Sequence, residues 1–253
     1  MLNIDTFNNP SIKLQAIPYY ADCYNFWDLN RCVESFTSDE YDEIISRTLR
    51  KNQFPWNTPL MVIDFNEYDW CGKHYEENLS KNVCRDISQC FKKGFQFKEY
   101  NFNSFIYDFL EINYSQSDLK GGINPWYLND FSFFDGSHSG YQHEWEDSRH
   151  YSKWYGIFKY LKHYKQGDVQ TNEKLYAYCK VLVDGEMACI GLTWCHAKHM
   201  KQGLMFSLIT SIAKMLMETE GVKCLVYSGA LADPEYARWK KRMLFRQMIV
   251  NIK

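Results

Sequence analysis

The 253-residue chain has no C-x-x-C pair, no long apolar run and almost no net charge. Each absence removes a class of function. Its nine cysteines, at 23, 32, 71, 84, 90, 179, 189, 195 and 224, are scattered and odd in number, so neither a disulfide framework nor a zinc ribbon is indicated. A reducing cytoplasm fits that usage best. No stretch reaches the ~18 consecutive apolar residues of a membrane span. Met1 to Pro10 carries Asn, Asp and Thr in place of a basic patch and an apolar run. The expectation is an unprocessed cytoplasmic protein with no membrane partner. Lys+Arg number 29 against 31 Asp+Glu, a formal charge of -2, which supplies no overall field for a polyanion. Any contact with nucleic acid must therefore be local.

What is present is a globular composition, 45% hydrophobic and 24% charged. A single core needs no metal or disulfide to hold it at this length. The 19 Tyr, 17 Phe and 8 Trp are core and lid material, with base stacking as the alternative use.

Up to about Pro59 the pattern is irregular, with one helix expected from Ser38, where Tyr41, Ile44, Ile45 and Leu49 recur at helical spacing. Leu60 to Phe65 reads as a strand. Leu79, Val83, Ile87 and Phe91 repeat every four residues, which predicts one helix over Lys73 to Lys93, stopped by Gly94. Residues 1–94 form an N-terminal annex in this reading, mostly helical with one strand. Phe95 to Tyr100 alternates like a half-buried strand, and Asn103 or Ser104 can cap a helix through Phe105, Phe109 and Ile112. Ser115 to Ser148, rich in glycine, aromatics and acids, is longer than an idle loop in a compact domain and reads as a lid or binding loop.

The last hundred residues are the clearest. Leu175 to Val183 and Glu186 to Cys195 flank Asp184-Gly185, the strongest short hairpin signal. A loop from His196 to Gln202 precedes a helix that opens at Gly203. It carries Leu204, Leu208, Ile212, Met215 and Leu216 on one stripe, with Met205, Ile209 and Ala213 beside it. Gly221 ends it, Val222 to Tyr227 is a buried strand, Asp233-Pro234 opens a basic helix, and Leu244 to Val250 is a final strand. A strand, a crossover helix and another strand imply at least one parallel pair. The fold class is therefore α/β (α+β), a mixed sheet flanked by helices over residues 95–253.

That order, with Asp184-Gly185, Gly203, the strand 222–227 and Ala237-Arg-Trp-Lys-Lys-Arg-Met-Leu-Phe245-Arg246, resembles the GNAT acyltransferase superfamily. The resemblance implies a transferase that moves an acyl or aminoacyl group from an activated donor to an amine. It places the donor's pyrophosphate at a helix N-terminus, where unsatisfied N–H groups and the macrodipole favour anions. Lys198, Lys201, Gln202, Gly203 and Leu204 stand in that loop. The family pattern there is Arg or Gln, two residues, Gly, one residue, then Gly or Ala; Met200 and Met205 depart from it at both ends. Those departures bring the chain nearer to divergent branches, the aminoacyl-tRNA-dependent transferases and the phage Mom-type DNA modification proteins. The donor implied is acyl-CoA or an aminoacyl-tRNA, with a nucleic-acid acceptor as the alternative. A third reading is a non-catalytic binding module that keeps the fold.

Lys240 stands where the family often has a Tyr that serves as general acid, and Leu244 replaces the Gly of its Gly-Phe pair. Tyr227 or Tyr236 can then take over proton donation. Oxyanion donors would come from the backbone of Trp194-Cys195-His196, and His196 or His199 can be the base, since histidine titrates near neutral pH. Cys195 and His196 point to opposite faces of a strand end, against a nucleophilic dyad. Cys195-His196-x-x-His199 has a soft and imidazole ligand set without a fourth member, so no metal is assigned. His150-Tyr151-Ser152, following Arg149, resembles a His-Tyr-Ser-Arg type of motif in Mom-like proteins. Tyr227-Ser228 with Asp233-Pro234 resembles their Tyr-Ala-Asp-Pro segment, which makes His150, Tyr151, Ser152 and Asp233 candidate substrate contacts. The segment His138 to Asp147 concentrates imidazoles and carboxylates that can hold a divalent ion or a cationic acceptor.

Overall fold

A computed structural model describes residues 16–21, 60–116, 150–167, 169–184, 186–227 and 234–252. Its elements in chain order are β1 (Ala16–Ala21), β2 (Leu60–Asp64), α1 (Gly72–Glu77), α2 (Lys81–Lys92), β3 (Phe95–Tyr100), α3 (Ile106–Gln116) and β4 (His150–Tyr160). The short strands β5 (Lys165–Gln166) and β6 (Val169–Gln170) form a separate hairpin. Then come β7 (Glu173–Asp184), β8 (Met187–Cys195), α4 (Leu204–Met217), β9 (Cys224–Tyr227), α5 (Pro234–Arg242) and β10 (Arg246–Ile252). The predicted helix from Ser38 and the loop from residue 117 to 149 lie outside the described residues. Among the described residues, no helix is long and apolar enough to cross a membrane.

Eight strands form one mixed sheet in the order β1-β10-β2-β9-β8-β7-β4-β3. The long antiparallel run β3-β4-β7-β8 makes one half, and the expected parallel pair is β8 with β9, joined through α4. The strand β2, from the N-terminal segment, lies between β9 and β10 and is antiparallel to both. One face carries α1, α2 and α4 around Tyr75, Val83, Ile87, Leu208, Ile212 and Phe245. The other face carries α3, whose Phe109 and Ile112 pack with Trp154, Phe158, Leu175 and Tyr178. Burial of both faces explains why β4, with Trp154, Tyr155, Ile157 and Phe158 all enclosed, shows no period-two alternation and went unread as a strand.

Two local expectations need correcting. The single helix predicted over Lys73 to Lys93 is two helices, because Asn78 closes the first and the Ser80 hydroxyl accepts from the Val83 N–H to open the second. Leu79 stays buried in the break, which is why the apolar period runs through it. At α3 the cap is Asn101, whose side chain accepts from the Asn103 N–H at 2.9 Å and starts a 3-10 turn over Phe102–Phe105 that leads into the helix.

In β8 the pairing register with β7 slips: Ile190 faces Val181 and Leu192 faces Lys180, which leaves Gly191 as an extra residue. Such a bulge bends the strand and increases its twist. Its effect is visible in the packing, since Ala188 and Ile190 face the α4 layer whereas Leu192 and Trp194 face α3 and Cys195 returns to the α4 side. Deleting Gly191 restores regular alternation without moving any of these side chains to the wrong face. The variant should therefore fold with a cost of only about 1–2 kcal/mol. Hydrogen exchange should show new protection at Ile190 and Leu192 as β8 straightens against Tyr227 at the end of β9; unchanged protection there would mean that the bulge does not hold the strands apart.

Candidate functional site

The ladder between β8 and β9 runs only through Met187 with Cys224, Ala188 with Leu225 and Cys189 with Val226. Beyond Cys189, β8 continues to Cys195 with no β9 partner among the described residues. Burial follows the same line: Met187 to Ile190 are enclosed, while Gly191 to Trp194 are half-exposed. We call the opening past Cys189 and Val226 the wedge, with its apex there; its β9 wall among the described residues is Tyr227 alone, since residues 228–233 lie outside them. Successive N–H groups of a strand point to alternate sides, so part of the backbone between Gly191 and Cys195 faces the opening. The His196 N–H is not available there, since it donates to the Tyr176 carbonyl at 2.9 Å.

At the mouth of the wedge β8 passes into a 3-10 turn, Ala197–Gln202, and then into α4. Gly203 sits between them at φ 76°, in the left-handed region. A Cβ there would lie 2.5 Å from the Asp86 carbonyl oxygen of α2. Both conditions demand glycine whether or not a phosphate binds. The α4 N-terminus has no side-chain capping hydrogen bond and no acidic residue in its first turn, while Asp86 of α2 packs against Gly203 beside it. Leu204 is fully buried, Met205 half-buried, and Phe206 is covered by Trp239 at 6.0 Å between ring centroids and by the Arg242 guanidinium at 4.6 Å. Arg242 also lies 3.9 Å from Asp86. Lys198 and Lys201 are exposed on the turn that leads into α4.

Lys240 is the functional candidate that sequence reading passed over. It lies on the inner face of α5, only 4% exposed, with its ammonium 4.0 Å from the centroid of the Tyr227 ring at the end of β9. Burial pushes that ammonium down to about 8, with a smaller opposing pull from Cys189 at the wedge apex. Its neighbours on α5, Arg238, Lys241 and Arg242, are solvated or half so, and the run of charges hid the one that is enclosed. The signal was its place in the sequence, where the resemblance to the GNAT pattern expects a Tyr that donates a proton. Tyr227 is half-buried, edge-on to Trp239 and Phe245. Tyr236 lies in the first turn of α5 and its side chain, like Asp233 and Ser228, lies outside the described residues.

His196 meets Glu111 of α3, and His199 lies beside it on the turn, against Tyr176 of β7. His196 caps the 3-10 turn by accepting the Lys198 N–H at Nδ1, 3.3 Å, and its Nε2 is 3.3 Å from Glu111. His199 Nδ1 is 3.0 Å from the Gln202 amide, with its ring edge-on to Tyr176. Burial holds both imidazoles below the ordinary histidine range. Burial also works to raise the Glu111 carboxyl, but Lys174, Gln166 and His196 together bring it below the usual carboxylate range. Cys195 points into the α4 core, where burial pushes its thiol up to about 12, so Cys195 and His196 diverge as a strand end requires. No group of three His, Cys, Asp or Glu among the described residues could hold a metal ion.

His150, Tyr151 and Ser152 open β4 and pair with Asp184, Val183 and Leu182. That is the Met187 end of β8, roughly 25 Å along the strands from Cys195 at about 3.3 Å per residue. They are not brought together with the turn at 197–203. The segment His138 to Asp147 lies outside the described residues.

No protein-family model and no curated protein matches the chain. Solved structures do. FemX superposes with a TM-score of 0.57 at 9% identity, over 76% of this chain and 59% of FemX. The L-PGS of Bacillus licheniformis aligns at 0.43 and 10% identity, over 75% of this chain and 57% of that one. A tandem GNAT protein from the clavulanic acid biosynthesis pathway aligns at 0.44 and 11%, over 93% and 59%. The chain spans less than two thirds of the length of each. The FemX match carries the fold assignment: the architecture is GNAT-like, a mixed sheet with flanking helices.

If Gly203 is required by packing, Gly203→Ala should cost about 1–3 kcal/mol in the absence of any ligand, from a strained φ and the displaced Asp86 carbonyl. Chemical denaturation of the ligand-free protein measures it, and an unchanged midpoint would mean that α2 and the turn do not meet as described.

Proposed function

We propose that this GNAT-like domain transfers an acyl or aminoacyl group to an amine, with the donor entering the wedge between β8 and β9 and Lys240 supplying a proton at its apex. The observation that carries the reading is a buried lysine set where the strands part, at the position that the family resemblance gives to a general acid. In the reaction the acceptor nitrogen bonds to the donor's carbonyl carbon, and the bond from that carbon to the leaving sulfur or oxygen breaks. The departing atom takes the proton of the Lys240 ammonium, and the nitrogen's surplus proton leaves through the open mouth of the wedge. An acid that titrates near 8 is still mostly protonated at neutral pH, yet gives up its proton more readily than an ordinary lysine. The uncapped α4 start and the cations Lys198, Lys201 and Arg242 suit the phosphates of acyl-CoA or of an aminoacyl-tRNA.

Unfolding midpoints measured with acetyl-CoA and with aminoacyl-tRNA test the reading. The true donor at about 100 times its Kd should add about 2.7 kcal/mol of stability. A shift with neither donor would point to a binding module without donor chemistry.

Lys240→Met separates function from stability. Transfer should fall about 100-fold or more, while the variant gains up to the order of 3 kcal/mol near neutral pH because no ammonium need be desolvated. The sign follows from proton uptake. Between about pH 8, where the folded amine loses its proton, and about 10.4, where the unfolded one does, the unfolded state binds more protons, so wild-type stability rises relative to the variant. The gap between the two should therefore narrow across that window. A gap independent of pH would mean that Lys240 is not held below its ordinary value.

A further inference from the structure

The turn that leads into α4 is tied to α3 by a closed set of bonds. The Gln116 amide donates to the Cys195 carbonyl, and the Ala197 N–H donates to the Ser115 hydroxyl at 2.9 Å. Between these, His196 uses every polar atom it has. Its N–H reaches the Tyr176 carbonyl, its carbonyl accepts the His199 N–H at 2.8 Å, Nδ1 accepts the Lys198 N–H, and Nε2 meets Glu111. An imidazole whose Nδ1 accepts must carry its proton on Nε2, so the bonding pattern requires the neutral form. Glu111 cannot swing away to adapt, because Lys174 holds it at 2.6 Å and Gln166 at 2.7 Å.

We propose that His196 is a positioning residue operated by a proton: neutral, it caps the turn Ala197–Gln202 and fixes the α4 start at the wedge mouth, and protonation at Nδ1 sets two donors against each other and releases the turn. The charged groups that face it are Glu111 on α3, Lys174 on β7 and His199 on the turn itself, with Asp108 and Tyr176 bordering Glu111 and Lys159 bordering His199. Glu111 favours the imidazolium; burial, His199 and Lys174 oppose it, and the balance lies on the neutral side. An unfolded histidine takes up a proton that the folded one resists, so acid acts against this turn. The link to donor binding rests on the transferase reading, whereas the response of the turn to protons does not.

Hydrogen exchange of the full chain, corrected for intrinsic rates, tests this between about pH 7.5 and about pH 5. Protection of the amides from Lys198 to Phe206 should drop about tenfold or more in the wild type. In His196→Asn, which keeps a capping oxygen but cannot titrate, it should change by less than about twofold. Glu111→Gln removes the carboxylate that favours the imidazolium and should move the midpoint of the loss to lower pH. Constant protection in the wild type, an equal loss in His196→Asn, or a midpoint that moves upward in Glu111→Gln overturns the proposal. Loss of protection without binding of acetyl-CoA or aminoacyl-tRNA at either pH would leave the switch standing and remove the transferase reading instead.

Discussion

Everything in the site follows from a parallel ladder that stops early. Three residue pairs join β8 to the short β9, and a one-residue bulge at Gly191 follows while the pairing of β8 with β7 continues to Cys195. Strand ends, helix starts and buried charges acquire their arrangement from that divergence. The half-exposed stretch Gly191 to Trp194 lines one wall, Tyr227 and α5 line the other, and the 3-10 turn carries the chain from the first wall into α4.

A desolvated ammonium is an expense in an otherwise well-packed core. The α4 face is mostly apolar, with Ser207 and Thr210 of α4 also buried in it. Cost of this kind collects at functional positions, because a group whose proton is held loosely is useful only where its environment disfavours the charged form. The contrast with His196 is instructive. Both are enclosed basic side chains; the histidine serves the backbone of the turn, and the lysine lies over the Tyr227 ring at the end of a strand.

Order and type of elements were legible wherever period and punctuation agreed. Asp184-Gly185 fixed the β7–β8 hairpin, the Leu204 to Leu216 stripe fixed α4, and Asp233-Pro234 marked the start of α5. Signals failed where burial on both faces erased alternation, as in β4, or where an apolar residue bridged a break, as Leu79 does between α1 and α2. The site was harder to read because its residues were chosen by type. His196 and His199 have the chemistry of a base, and only the coordinates place them against α3. Lys240 looked like one cation among several, and enclosure cannot be read from a charge run. Gly203 was read as a place for a phosphate to approach, and the approach that is visible is that of another helix.

The strand β2 has a bearing on how the wedge comes to exist at all. With only three pairs to β8, the far wall is held chiefly by β2, which pairs with β9 from Met61 with Tyr227 to Asp64 with Cys224. Those partners are more than a hundred and fifty residues apart in sequence, so their meeting carries a loop-closure entropy that local pairings do not. Until it happens the opening has one wall and no geometry. The far wall is therefore built from two segments distant in sequence, and its shape depends on both.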